Sequence, residues 1–124
     1  MAHILSISYD PTLLLTRQML LQEMGHTVVS AEGFAEAFIA CRQGDYDLLI
    51  LGHSIPHKDK IAIIEKAKQQ CPCPVLALLR ANESPVPNIE RSIDSSDPRA
   101  FVDAARDMLT PPLIERKSVG PSIS

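Results

Sequence analysis

The chain has 124 residues, 45% of them hydrophobic, which is enough for one compact domain with a sizeable buried core. Its 12 basic and 15 acidic residues leave a net charge of −3, and this balance argues against nucleic-acid binding, which needs clustered positive charge. No apolar run approaches the roughly 20 residues of a membrane helix, and the N-terminus lacks the basic segment of a signal peptide.

The predicted elements begin with a short buried strand over residues 3–8. A helix then starts at Asp10-Pro11, because aspartate can accept amide hydrogen bonds at an N-cap and proline is tolerated in the first helical turn. Gly25 is a typical residue for ending such a helix. A second strand is predicted over residues 27–29, and a second helix over residues 34–42.

The second half of the chain continues the alternation. A strongly apolar third strand is predicted over residues 47–51, and a third helix starts at Asp59. Residues 74–79 form the fourth strand, with apolar residues on both faces, as expected where helices cover both sides of a parallel sheet. The half-polar stretch 89–94 is predicted as an edge strand, and a last helix starts at Asp97-Pro98.

This alternation predicts a doubly wound α/β fold with a five-stranded parallel sheet in the order 2-1-3-4-5. Between the fourth and fifth strands, Pro85 and Pro87 are incompatible with a short helix, so the helix expected there is predicted to be shortened or lost. Residues 1–109 are predicted to form the domain. Residues 110–124, rich in proline and serine, are predicted to form a flexible tail.

Four segments together resemble the receiver domains of response regulators. They are ILSISYDP at residues 4–11, EMGHTVV at residues 23–29, YDLLILGHSIP at residues 46–56 and CPVLALL at residues 73–79. The resemblance implies the flavodoxin-like fold of CheY-like proteins. It also implies a role in bacterial two-component signal transduction or a phosphorelay.

The functional positions of the receiver family are altered in this chain. The resemblance places the acidic pair that holds magnesium on Ser8 and Tyr9, and the phosphoacceptor on Gly52. It places the hydroxyl residue that switches after phosphorylation on Leu79 and, across a deletion, the family's lysine on Asp94. Because Mg²⁺ normally needs one or two carboxylates, these residues predict a degenerate site with no phosphorylation, no metal, no cofactor and no enzyme activity.

Other uses of the same crevice, at the carboxyl ends of the strands, stay open. Asp10, His53 and His57 lie at this end of the sheet, where open α/β sheets bind ligands, and would be the ligands of a conceivable metal site. The simpler expectation is that both histidines are solvated and that Asp10 caps a helix. A small-ligand sensor and a receiver with an unusual phosphoacceptor are the alternative functions.

The first predicted helix carries a candidate partner surface. Leu15 and Met19 fall opposite its core-facing stripe. The predicted stripe consists of Leu13, Leu14, Leu20, Leu21 and Met24. Scattered surface hydrophobic residues, which are normal in globular proteins, are the competing interpretation.

The sheet face left bare by the lost helix is a second candidate partner surface. Val75, Ala77 and Leu79 share that face because strand residues alternate, and a protein partner, a second copy of the chain or the tail is expected to cover it. The odd count of three cysteines fits free thiols in a reducing cytoplasm. The sequence therefore predicts a cytoplasmic, phosphorylation-independent adaptor that acts by protein–protein interaction and binds neither nucleic acid nor membranes.

Overall fold

The computed structural model describes residues 2–70, 72–94 and 98–109, and within these ranges the chain forms five strands and four helices. The strands are β1 (His3–Ser8), β2 (Thr27–Glu32), β3 (Leu48–Leu51), β4 (Val75–Leu79) and β5 (Arg91–Asp94). The helices are α1 (Pro11–Glu23), α2 (Phe34–Gln43), α3 (His57–Gln70) and α4 (Pro98–Leu109).

The five strands are parallel and lie in one sheet of order β2-β1-β3-β4-β5, which confirms the predicted doubly wound fold. Alternate residues of the central strand enter different cores. Leu49 and Leu51 pack with residues of α2 and α3, whereas Leu48 and Ile50 pack with residues of α1 and α4. Helices on both faces explain why β3 is apolar throughout.

Some predictions concern parts of the chain outside the described residues. The tail, residues 110–124, and Asp97 at the predicted start of the last helix are among them. Within the described ranges, α3 begins at His57 rather than at Asp59, because the Lys60 amide already bonds to the Pro56 carbonyl oxygen at 2.9 Å. No helix in the described part of the chain is long and apolar enough to cross a membrane.

Helix α1 begins and ends as the sequence predicted. Asp10 Oδ1 accepts hydrogen bonds from the amides of Thr12 at 2.9 Å and Leu13 at 3.2 Å, which satisfies donors that have no partner inside the helix. Gly25 follows the helix with φ +94°, a conformation that side chains disfavour.

The buried stripe of α1 differs from the prediction. Its buried residues are Leu14, Arg17 and Leu21, whereas Leu13 and Leu20 are only partly buried. Arg17 lies three residues after Leu14 and four before Leu21, so helical spacing places it on the inner face. The expectation of a wholly apolar stripe was therefore wrong at Arg17.

The connection between β4 and β5 contains no helix: residues 80–90 form turns and irregular backbone, as their prolines predicted. Val86 from this segment is 6% exposed and packs into the core on the α3 side. Val75 and Ala77 are fully buried in the same core, so the prediction that they belong to a partner face was wrong. The side chains of α3 and this inserted valine cover the face from within the chain.

A buried ion pair ties the same connection to α3. The side chain of Lys60 is fully buried, and its Nζ donates to Glu83 Oε1 at 2.7 Å and Oε2 at 2.9 Å. Glu83 also accepts from the Arg80 amide at 2.9 Å and shares a hydrogen bond of 3.1 Å with His57 Nδ1. Burial alone would raise the pKa of Glu83, but the hydrogen bonds from Lys60, Arg80 and His57 outweigh it and lower that pKa. Glu83 therefore stays ionised and anchors the connection that replaces a helix.

We expect Glu83→Gln to lower the free energy of unfolding by about 3–5 kcal/mol, because it leaves the Lys60 ammonium buried without a counter-charge. Denaturant unfolding followed by circular dichroism measures this loss. Asp107→Asn is the matched control, since it removes an exposed partner of Arg91 and should cost no more than about 1 kcal/mol. Adding Lys60→Met to Glu83→Gln should recover part of the loss. Equal losses for Glu83→Gln and Asp107→Asn would contradict the anchoring role.

Candidate functional site

The carboxyl ends of β1 and β3 meet in a crevice. The two strands are parallel neighbours with Ile7 opposite Leu51. Ser8, the last residue of β1, therefore lies beside Gly52, the first residue after β3. The Gly52 amide donates to the Ile7 carbonyl oxygen at 2.9 Å and holds this backbone close to β1. Two of the residues singled out in the sequence therefore meet at one point.

The polar groups of the β1–α1 loop bond to the β3–α3 loop. Ser8 Oγ lies 3.0 Å from Ser54 Oγ and accepts from the Asp10 amide at 3.0 Å. The Tyr9 amide donates to Ser54 Oγ at 2.9 Å. The Tyr9 hydroxyl donates to Asp59 Oδ2 at 3.0 Å, and burial together with this hydrogen bond and the charge of Asp59 raises the Tyr9 pKa to about 12. The network joins the loops mainly through hydroxyl groups and backbone amides, and the Asp59 carboxylate is bonded to the tyrosine.

Asp10, His53 and His57 are not brought together. The Asp10 carboxylate caps α1, His57 bonds to Glu83, and His53 bonds to Arg17. Among the described residues, no group of three or more His, Cys, Asp or Glu side chains could hold a metal ion. The conceivable His/His/Asp metal site does not form in this part of the chain.

Arg17 reaches from α1 to the backbone of Gly52. A Cβ built on Gly52 would lie 2.8 Å from Arg17 Nη1 and 3.2 Å from the Ile7 carbonyl oxygen. The first separation is shorter than real Cβ contacts, so any side chain at position 52 requires the guanidinium to move. Arg17 Nη2 lies 3.3 Å from His53 Nδ1, and the Arg17 Cζ lies 6.0 Å from the centroid of the Phe101 ring.

The positive charge of Arg17 is buried, and no salt bridge among the described residues includes it. The residue is 6% exposed, and among the described residues its Nη1 has no hydrogen-bond partner. Burial lowers the pKa of Arg17, and the charge of Asp10 opposes that shift. An arginine keeps its proton even so, because its pKa starts above about 12. Within the part of the chain that the structure describes, the crevice therefore contains a guanidinium with no carboxylate in a direct ion pair.

Other cations surround the same point. Arg80, which follows β4, donates from Nε to the His53 carbonyl oxygen at 2.7 Å and from Nη2 to the Ser54 carbonyl oxygen at 2.8 Å. Burial, followed by repulsion from Arg17, Lys60 and Arg80, lowers the pKa of His53, and the charge of Asp10 only partly opposes this. His53 is consequently neutral at neutral pH, which suits the acceptance of a hydrogen bond from Arg17.

No protein-family model and no curated protein sequence matches this chain. Solved structures do match it. A two-component response regulator from Clostridium difficile matches with a TM-score of 0.74 at 17% identity, covering 97% of this chain and 100% of that one. The chemotaxis response regulator CheY4 of Vibrio cholerae matches with a TM-score of 0.75 at 18% identity, covering 88% of this chain and 99% of its own. The response regulator TrrA of Thermotoga maritima matches with a TM-score of 0.74 at 20% identity, covering 88% of this chain and 100% of that one. This chain has the receiver fold.

A shared fold does not determine the chemistry of a site, which depends on the side chains that are present. Ser8, Tyr9 and Gly52, where the resemblance placed the magnesium ligands and the phosphoacceptor, supply no carboxylate, and Arg17 brings a cation to the same point. These residues do not fit a magnesium ion, because Mg²⁺ is held in proteins by carboxylates and retained waters.

The resemblance placed the two remaining receiver positions on Leu79 and Asp94. Leu79 ends β4, is half-buried and packs against the core on the α2 and α3 side. Asp94 ends β5 beside it in the sheet and is exposed. An aliphatic side chain in the first position has no hydroxyl to switch, and a carboxylate in the second cannot substitute for a lysine.

Sequence reasoning missed the cations of this site, Arg17, Lys60 and Arg80. For the two helical ones the signal was spacing: Arg17 lies in register with Leu14, and Lys60 lies three residues before the buried Ile63. A pattern search that counts apolar residues alone passes over both positions. Arg80 sits at a strand end, where sequence pattern does not distinguish a solvated side chain from one bonded to carbonyl oxygens.

We expect an NMR pH titration to give His53 a pKa below the usual value of about 6.5. Because the unfolded chain then binds more protons than the folded one below about pH 6.5, the stability contributed by this residue falls as the pH drops through that range. Arg17→Gln should raise the His53 pKa by removing one repulsive charge. Arg91→Gln, which changes a cation exposed on β5, should leave it unchanged. An unchanged His53 pKa in Arg17→Gln would show that the two groups are not coupled.

Proposed function

We propose that this chain is a signalling adaptor of bacterial two-component type that acts in the cytoplasm through protein contacts. It acts without being phosphorylated and without catalysing a reaction. The observation that carries the proposal is the position of Arg17 Nη1, 2.8 Å from the point where a side chain at Gly52 would begin. The place of a phosphoacceptor is taken by a glycine backbone and a guanidinium.

Electrostatics support phosphorylation independence. Two structures with similar folds are described with magnesium: the receiver domain of the sensor histidine kinase PA1611, with the ion in its active site cleft, and TrrA in complex with Mg²⁺ and BeF. In this chain an ion at that point would face Arg17 without a carboxylate from Ser8, Tyr9 or Gly52. Repulsion between unit charges about 4 Å apart is on the order of 4 kcal/mol at an effective dielectric near 20, and the divalent ion doubles it.

The exposed surface of α1 supports action by protein contact. TrrA has also been solved in complex with the histidine kinase ThkA, so this fold presents surfaces that bind proteins. Here Leu15 and Met19, one helical turn apart, are 56% and 53% exposed. Their side chains lie on the same helix face, and we propose them as the centre of the partner contact.

For the first test, wild type and Gly52→Asp are incubated with Mg²⁺ and acetyl phosphate, and their intact masses are recorded. We expect no phosphoryl adduct on either protein, because the metal ligands are missing and the new carboxylate pairs with Arg17. Gly52→Asn is the matched control for stability, since it has the same size without the charge. Gly52→Asp should be more stable than Gly52→Asn by about 2 kcal/mol, the scale of a charge-assisted hydrogen bond, and Arg17→Gln should abolish that difference.

Either of two results would reject this account. A phosphoryl adduct mapped to Asp10 or Asp59 of the wild type, or to the new carboxylate of Gly52→Asp, would show that the crevice retains receiver chemistry. Equal stability of the aspartate and asparagine variants would show that Arg17 does not reach position 52.

The partner contact is tested with three baits in extracts of the native host: wild type, Leu15→Ser with Met19→Ser, and Ile39→Ser. Ile39 is the matched control because it is an exposed hydrophobic residue, 44% exposed, on a different helix. We expect mass spectrometry to identify a protein recovered with wild type and with Ile39→Ser, and reduced about tenfold or more with the α1 double variant, as for loss of an interface centre. Recovery that is equal for all three baits would place the contact elsewhere.

A further inference from the structure

A small cavity lies between α1 and α4, and the guanidinium of Arg17 belongs to its wall. Its volume is about 100 Å³. Most of its lining is apolar, contributed by Leu13, Leu20, Leu78, Pro98 and Phe101. Thr16, which is exposed, lies at the rim, and the lining groups that can carry charge are Arg17 and His53. The cavity thus combines an apolar wall with one permanent positive charge.

The state of Arg17 distinguishes this cavity from a packing defect. The side chain is buried, its Nη1 has no hydrogen-bond partner among the described residues, and no salt bridge there includes it. The charge of Asp10 acts on it without a direct ion pair, because the Asp10 carboxylate caps α1. A neutral histidine and the face of Phe101 at 6.0 Å are its polar and aromatic contacts. Leaving a buried cation without an anion is strongly unfavourable, so an anion that enters the cavity would gain a full ion pair.

We propose that this cavity binds a small organic carboxylate with a short apolar body. The carboxylate accepts hydrogen bonds from the Arg17 guanidinium, and the apolar body packs against Leu20, Leu78 and Phe101. Because Nη1 is closed off from solvent, binding includes a shift of the flexible end of Arg17 away from Gly52 and toward the cavity.

The shape and lining of the cavity select this ligand class. Its volume corresponds to roughly three water molecules at their liquid density of about 30 Å³ each, which suits a short aliphatic chain. An inorganic phosphate ion would place polar oxygens against five apolar side chains and leave them without donors. A carboxylate presents two acceptor oxygens that match the fork of one guanidinium.

This inference goes beyond the proposed adaptor function. It shares Arg17 with the argument for phosphorylation independence, but it uses none of the residues of the partner contact. Leu15 and Met19 lie outside the lining of the cavity. Ligand binding to the purified chain is measured without any protein partner. The ligand proposal can therefore be rejected while the partner contact is confirmed, and the partner contact can be rejected while ligand binding is confirmed.

The test is calorimetric titration of the purified chain with butyrate, butyramide and inorganic phosphate. We expect saturable binding of butyrate, with butyramide and phosphate weaker by about tenfold or more, because only butyrate offers both the charge and the apolar body. Arg17→Gln should weaken the affinity for butyrate by about tenfold or more. Arg91→Gln, remote from the cavity, should bind butyrate as the wild type does.

A second variant separates the cavity from the charge. Leu13 lines the cavity without belonging to either core cluster, so Leu13→Phe fills the space while Arg17 stays in place, and it should also abolish butyrate binding. Arg17→Met, which replaces the charge by an apolar side chain, should fold with a raised melting temperature. Absence of saturable butyrate binding to the wild type would overturn the proposal. So would equal binding of butyrate and phosphate that Leu13→Phe leaves unchanged, because such binding would not involve the cavity.

Discussion

The contact between the Arg17 guanidinium and the backbone of Gly52 determines the character of the crevice. It brings a helix side chain onto the end of the central strand, and the space it fills is available only because position 52 has no Cβ. Burial first, and then the charge of Arg17 together with those of Lys60 and Arg80, lowers the pKa of His53. The β1–α1 and β3–α3 loops are joined by hydrogen bonds through Ser54. The crevice is stabilised by packing and by hydrogen bonds, among them those that the Arg80 guanidinium donates to the His53 and Ser54 carbonyl oxygens.

A second buried cation, Lys60, holds the connection between β4 and β5 in place. A connection of eleven residues, 80–90, contains no helix, and its backbone has to be held in place by other contacts. The buried salt bridge from α3 to Glu83 and the insertion of Val86 supply two fixed points. Buried ion pairs are weak sources of net stability but costly to break, so their contribution is to specify one path for the connection. Both unusual cations therefore lie where this chain departs from the common receiver pattern.

Much of this architecture was predictable because it depends on local rules. The apolar run of β3, the Asp10 cap with its following proline, and Pro85 and Pro87 each restrict the backbone through nearby atoms, and the strand order followed from right-handed crossovers. The buried cations were not predictable in this way. Lys60 meets its carboxylate 23 residues later in the chain, and Arg17 is buried against a backbone 35 positions further on. Such pairings need the tertiary fold, and the same holds for the cover that Val86 provides over Val75 and Ala77.

The mutual fit of Arg17 and Gly52 also restricts the order in which substitutions can change this protein. A carboxylate introduced at position 52 would lie next to the Arg17 guanidinium and form an ion pair with it. This ion pair would stabilise the fold and would occupy the oxygen that phosphoryl transfer requires. Recovery of an acceptor thus requires a change on α1 in addition to the change on β3, as well as new acidic residues after β1. Under the proposed function, each of these changes taken alone would bring no phosphoryl transfer, so their effects would depend on one another.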